Sequence, residues 1–361
     1  MDKNLPIGLF ICGGTINSVP GEKGLRPAEN AEEFLQFVPE LSRVGRPFAV
    51  ETFGNIDSSQ TDPSVWTKLA MFINRLKSKY SAIVCTNGTD TMAESASAMS
   101  FVFAKSLDIP IIFTGSQLPM TKIHTDARNN LIGAFTVAQK AIQEEITEVI
   151  IYFHNSAFRA NRTWKHREVE FNAFTSGTFP LLAETSASPI WEIGGPQWTR
   201  QVFSGIAIKN KDLPASEFCP RFGEGVVVSD IYPGTPPEFW IDGIRGGSCK
   251  GLVIRALGAG NIPFTNPRYD MRPVIREAVS NSIPVLISLK FPNGMIRSSG
   301  IYEAGQTAID AGAIPTGDMV HEAAYTKFLY LMGLGHRTPE AIRQLMLIPM
   351  AGEVTEADKT K

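Results

Sequence analysis

Most of the usual signposts of function are scarce in these 361 residues. There are four cysteines, Cys12, Cys85, Cys219 and Cys249, and their spacing follows no metal-site or disulfide pattern. Cys12 and Cys85 each close an apolar run, where cysteine acts as a small buried hydrophobe. Free thiols of that kind fit a reducing compartment. The five histidines, His124, His154, His166, His321 and His336, form no ligand motif, so no metal is expected. No apolar run approaches the roughly 20 residues of a membrane-spanning helix. Met1 to Pro6 has no signal-peptide layout, so a cytoplasmic location is expected. Neither sign of charge dominates: the formal net charge is −2. Nucleic-acid and anionic-membrane binders carry a basic footprint, so a small diffusible substrate fits better. A Walker phosphate loop, a three-glycine dinucleotide fingerprint and a nucleophile elbow are all missing, and no cofactor is expected. There is no internal repeat or low-complexity tract.

What is present is a regular alternation of strand and helix. Ile7 to Cys12 has the length of a buried strand and ends on Gly13-Gly14, presenting Thr15. A polar segment from Asn17 to Pro27 reads as a mobile loop. Further strands are expected at 48–53, 81–85, 109–113 and 148–153. Helices follow the second to fourth of them, and Asp62-Pro63 is a clear helix start. Asp126 is expected to cap the helix that follows it. This alternation predicts a parallel sheet with right-handed crossovers, a flavodoxin-like or Rossmann-like α/β domain. The pattern dissolves near Pro196 and resumes at Val226. The expected organisation is therefore a larger α/β domain over 1–195, a linker over 196–221 and a smaller α/β domain over 222–361. The tail beyond Gly352 is charged and reads as disordered.

Ligands of open α/β sheets bind at the carboxyl edge of the strands. The loops expected there hold Thr15, then Asp57, Ser58 and Ser59, then Thr89 and Asp90, then Ser116, and finally Lys165 in a basic loop after the fifth strand. Taken singly, each loop contains only what loops usually contain. Together they place five hydroxyls, two aspartates and a lysine on one edge. A threonine hydroxyl needs activation to become a nucleophile. A lysine shielded from water has a lowered pKa and can act as the base, with aspartate orienting it. Backbone N–H groups around Asn87-Gly88-Thr89 could hold an oxyanion. The set points to acyl transfer on a small amide or ester, with Ser58, Ser59 and Asp90 gripping a zwitterion.

The ordered motifs Gly13-Gly14-Thr15-Ile16, Asp57-Ser58-Ser59, Asn87-Gly88-Thr89-Asp90-Thr91-Met92 and Thr114-Gly115-Ser116-Gln117 resemble those of bacterial-type L-asparaginases. Asn161-Arg162-Thr163-Trp164-Lys165, Gly258-Ala259-Gly260-Asn261 and Gly317-Asp318-Met319 extend the resemblance over about residues 6–350, nearest the cytosolic type I branch. It implies hydrolysis of L-asparagine to L-aspartate and ammonia, with Thr15 as nucleophile and Thr89, Asp90 and Lys165 as the second catalytic group. It implies that Ser58 and Ser59, next to Asp57, take the α-carboxylate, Asp90 the α-ammonium, and that Ser116 lies behind the scissile amide. It also implies a homodimer or homotetramer in which the Asn261 loop completes a neighbour's site. A glutaminase-asparaginase, the ammonia-producing subunit of a tRNA-dependent amidotransferase, and a non-catalytic amino-acid-binding regulator are the alternatives. One departure stands out: many members carry a tyrosine in the loop over the first threonine, where this chain has Leu25.

Overall fold

Four apolar runs that are buried along their whole length form the centre of the first sheet, as strands covered on both faces must. The computed structural model describes residues 2–22, 24–28, 30–177, 179–185, 218–291, 294–296 and 302–355. The expected linker at 196–221 falls mostly outside these described residues. The chain divides into two compact units, with the change at Pro220–Arg221 within the described part.

In the first unit β1 (Ile7–Gly13) leads through a single 3-10 turn, Thr15–Asn17, into β2 (Ser18–Gly21) and β3 (Gly24–Pro27). Where a mobile loop was expected, β2 and β3 pair as an antiparallel hairpin with Val19 opposite Arg26. The alternation was too short and too rich in glycine and proline to read as strands. Then come α1 (Ala31–Leu35), β4 (Phe48–Ile56), α2 (Pro63–Leu76), β5 (Ala82–Thr86), α3 (Met92–Phe103), β6 (Ile111–Thr114), α4 (Ala127–Gln143) and β7 (Val149–Phe153). Asp62 caps α2 as expected, its carboxylate accepting from the Ser64 and Val65 amides at 2.7 and 3.2 Å.

The sheet order through these strands is β7-β6-β5-β1-β4, and all four pairings are parallel. The chain steps from β1 to β4 on one side, then crosses to β5 on the other. The order therefore reverses between β1 and β5, and a crevice opens outside their carboxyl ends. The expected flavodoxin-like parallel sheet is thus present. On one face α4 packs Leu131, Phe135 and Ala138 against Leu9, Val84 and Ile150. On the other, Phe10 meets Phe72 of α2 edge to face, with centroids 5.2 Å apart.

After β7 the chain does something the strand-helix alternation did not foretell. Instead of a simple basic loop, it turns back at once as β8 (Ser156–Arg159), antiparallel to β7. His154 and Asn155, at φ of 45° and 65°, make the two-residue turn that a tight hairpin requires. A 3-10 turn, β9 (Trp164–Lys165), β10 (Phe174–Thr175) and β11 (Ala183–Glu184) follow. β9 pairs with β10, and β11 extends the main sheet beyond β8.

The second unit holds β12 (Val226–Asp230), β13 (Gly251–Ala256), β14 (Val285–Leu289) and β15 (Ile314–Pro315), all parallel and in that order. β15 is only two residues long, too short for periodicity to reveal. A helix at Glu238–Arg245 was also not foreseen; it buries Trp240 and Ile244. Helices at Arg272–Ser280, Glu303–Asp310, His321–Gly333 and Pro339–Met346 accompany these strands, as a smaller α/β domain requires. The described part of the tail does not match its expected disorder. Glu353 and Val354 are buried, and Thr355 donates its amide to Asp318 at 2.8 Å. No helix among the described residues is long and apolar enough to cross a membrane.

Candidate active site

The loops leaving β1, β4, β5 and β6 meet backbone to backbone because glycine leaves room for them. Gly14, at φ 88°, is pressed against the next loop: a Cβ there would stand 2.4 Å from the Gly88 nitrogen. A Cβ on Gly88 would in turn lie 2.3 Å from Ser58 Oγ, and one on Gly115 would lie 2.4 Å from the Asn87 carbonyl. The segments carrying Thr15, Thr89, Ser58 and Ser116 are therefore contiguous. Side chains complete the weave. Thr86 Oγ1 accepts from Asn17 Nδ2 at 2.8 Å and from the Cys12 amide at 3.3 Å. Thr91 Oγ1 donates to the Ser58 carbonyl at 2.9 Å.

A Gly88→Ala variant tests this contact. Its methyl has no free space, and overpacking of this kind costs about 1–3 kcal/mol. Thermal unfolding should show the loss, together with reduced turnover. An unchanged melting temperature with unchanged activity would mean that the two loops do not depend on this approach.

Lys165, on β9, reaches the loop that leaves β5. Its ammonium donates to Thr89 Oγ1 at 3.0 Å and to Asp90 Oδ1 at 2.8 Å. It also pairs with Glu168 Oε2 at 2.7 Å. The Lys165 side chain is only 13% exposed, whereas Asp90 is 52% exposed. Desolvation favours the neutral amine, yet hydrogen bonds and charge from Asp90 and Glu168 together outweigh it, and the Lys165 pKa is raised. This corrects the expectation of a lowered pKa: Lys165 stands as an ammonium, not as a ready base. Glu168 was missed from the sequence, although its spacing of three from Lys165 is a visible signal.

Asp57 accepts from the Ser59 amide at 2.9 Å, and the Ser59 amide and hydroxyl hold its carboxyl below the usual range. Ser58 is buried and Ser59 exposed. Ser116 is buried, donating to the Leu118 carbonyl at 2.6 Å. Asp126 does not cap its helix. Its two oxygens instead accept from the Gln117 and Leu118 amides at 2.9 and 3.0 Å, shaping the Ser116 loop. The Asn87 amide donates to the Thr114 carbonyl at 2.8 Å, which removes it from the expected oxyanion donors. Leu25 stands opposite Pro20 near the tip of the β2–β3 hairpin, 55% exposed. Asn261 lies in the second unit, closing a tight turn back onto Leu257 after β13. Its buried Oδ1 has no partner among the described residues.

Two family models match this chain. The one described as asparaginase, N-terminal, covers residues 6–193, and the one described as glutaminase/asparaginase C-terminal domain covers residues 225–346. L-asparaginase 1 of Escherichia coli is 31% identical over 360 residues, with 96% of this chain and 97% of that protein covered. The solved thermostable L-asparaginase from Thermococcus kodakarensis superposes with a TM-score of 0.83 at 29% identity, covering 98% of this chain and all of that one. A glutamyl-tRNA(Gln) amidotransferase subunit of Aeropyrum pernix is 31% identical over 356 residues, 96% of this chain and 78% of that protein.

Proposed function

The chain belongs to the asparaginase family and is an enzyme, and we propose that it hydrolyses L-asparagine to L-aspartate and ammonia through an acyl-threonine. The observation that carries this reading is the set of contacts from Lys165 to Thr89 and Asp90, on the loop against which Gly14 presses the segment carrying Thr15. Thr15 Oγ attacks the side-chain amide carbon. The new C–O bond forms, the C–N bond breaks, and the Thr15 proton leaves on the departing nitrogen as ammonia. Water guided by Thr89 then cleaves the ester and restores Thr15.

In this scheme Lys165 works as a cation. An ammonium 3.0 Å from Thr89 Oγ1 lowers the cost of negative charge there while that hydroxyl handles protons. The substrate's α-carboxylate is taken by Ser58 and Ser59 beside Asp57, and its α-ammonium by Asp90. Ser116 stands behind the amide. Leu25 has no hydroxyl, so activation of Thr15 rests on Thr89 and Lys165. Residues 1–195 would carry these loops. Asn261 Oδ1, which has no partner among the described residues, suits the role of completing a neighbouring protomer's site in a cytoplasmic homodimer or homotetramer.

Ammonia release from L-asparagine, L-glutamine and D-asparagine tests the reading. Activity is expected on L-asparagine; folded protein inactive on all three would overturn it. Glutamine differs by one methylene, worth about 1–3 kcal/mol of discrimination, and the same assay reads that preference. The likeness to an amidotransferase subunit supports a second reading, in which the ammonia serves a partner's transamidation. Turnover of free asparagine that neither tRNA nor a partner accelerates would count against it.

A further inference from the structure

Lys165 has more anionic company than the proposed reaction calls for. Thr89 and Asp90 reach it from the loop after β5, which satisfies the catalytic assignment. Glu168 approaches from its own loop as a second carboxylate, at 2.7 Å. The three donors of an ammonium thereby meet three acceptors. Nearby groups do not compete for this position: Arg167 is turned to Glu170 at 2.6 Å, and the strand opposite, β10, supplies the uncharged Phe174 and Thr175. His166 lies next in sequence, with its pKa lowered chiefly by desolvation and then by Arg167.

The loop that offers Glu168 is held from the far side of the site. Gln117, next to Ser116, donates through Nε2 to the Glu168 carbonyl at 2.8 Å and to the Glu170 carbonyl at 3.0 Å. Gln117's own amide is bound by Asp126. The backbone under Glu168 is thus fastened to the loop that backs the scissile amide.

We propose that Glu168 is a positioning residue for the asparaginase reaction: its carboxylate holds Lys165 charged and aimed at Thr89. This rests on the proposed function, because it assigns Lys165 the cationic role there. Glu168 is itself 78% exposed, so part of its effect is screened by water and salt. Removing it takes away one of the two anions that offset Lys165's desolvation, and the amine then loses its proton at lower pH. A reaction that needs the ammonium loses rate as pH rises through the lysine's pKa, and does so earlier without Glu168.

The test compares wild type with Glu168→Gln and Glu168→Asp. Competitive acetylation by acetic anhydride, mapped to the Lys165 peptide by mass spectrometry across pH, reads its protonation without any turnover. Glu168→Gln should label Lys165 about 3–10-fold faster at a given alkaline pH, with the midpoint of its titration moved down. The alkaline limb of kcat/KM for asparagine should move the same way, with little change near pH 7 and partial recovery in Glu168→Asp. High salt should shrink the difference from wild type. An unmoved labelling midpoint, or an unmoved alkaline limb in an active enzyme, overturns the role of Glu168. Wild-type protein inactive on asparagine would instead strike at the proposed function, and the labelling result would still report on the clamp.

Discussion

Replacing Thr15 by alanine is expected to lower kcat for asparagine by roughly 10,000-fold, about 5 kcal/mol of lost transition-state stabilisation. Thr89→Val should fall in the same range. The valine keeps the shape of threonine while removing the oxygen that Lys165 touches at 3.0 Å. Residues that act as one unit are not additive, so the double variant should be little worse than either single one. Thr15 opens a short 3-10 turn, Thr89 is in a loop and neither is fully buried, so circular dichroism and melting temperature should stay near wild type. The distinguishing measurement is the ester itself, read as added mass on the intact protein. Thr15→Ala cannot form it, whereas Thr89→Val keeps the nucleophile and should form the ester slowly, then hold it because its water is no longer guided. Retention of more than a tenth of the activity by either variant would remove that threonine from the mechanism.

The largest expected loss of stability lies far from these loops. Lys327, on the helix His321–Gly333, is fully buried, as is Glu353. Lys327 Nζ donates to Glu353 Oε1 at 2.5 Å and to the carbonyls of Met346 and Ile348 at 2.8 and 2.6 Å. The Glu353 carboxylate also accepts from the Met350 and Ala351 amides. Lys327→Met leaves a buried carboxylate without its counter-charge, a loss of about 3–5 kcal/mol. A fall of about 10 °C in the melting temperature of the second unit is expected.

The pH dependence carries a sign that a general packing defect would not. Burial alone would raise the Glu353 pKa, but Lys327 and the two backbone amides bring it below the ordinary value. A carboxyl with a depressed folded pKa adds stability that is complete above its unfolded value and is lost as pH falls through the folded one. Without Lys327 the sign reverses, since the uncompensated carboxyl gains a proton more readily in the folded state. The gap between variant and wild type should therefore be widest at about pH 7–8 and narrow towards about pH 4–5. Urea unfolding at the two pH values decides this; equal gaps at both would show that Glu353's charge is not the cause.

Local signals in the chain are enough for the parallel strands β1, β4, β5, β6 and β7, for their order of appearance and for the loops that hold Thr15, Ser58, Thr89 and Ser116. Central strands of a parallel sheet are continuous apolar runs, and alternation with helices sends each following loop to one edge. The Asp62-Pro63 helix start is equally local, and it is legible for that reason. Glu168 shows the opposite case: its spacing from Lys165 is visible in the sequence, but its use is not. Asp126 likewise has the look of a helix cap and instead binds the Gln117 and Leu118 amides.

By itself, then, the sequence determined the fold class, the Gly-Gly-Thr strand end and the identities of the residues on the sheet's carboxyl edge, because these follow from short-range periodicity and turn chemistry. Tertiary structure alone decided how Lys165 arrives, by way of the β7–β8 hairpin, and in which charge state it stands. It also decided that Glu353 is buried against Lys327 rather than free in a solvated tail. The physical reason is common to all three. A titratable group's charge and placement reflect the balance of lost hydration against partners distant in the chain, and only the folded distances set that balance.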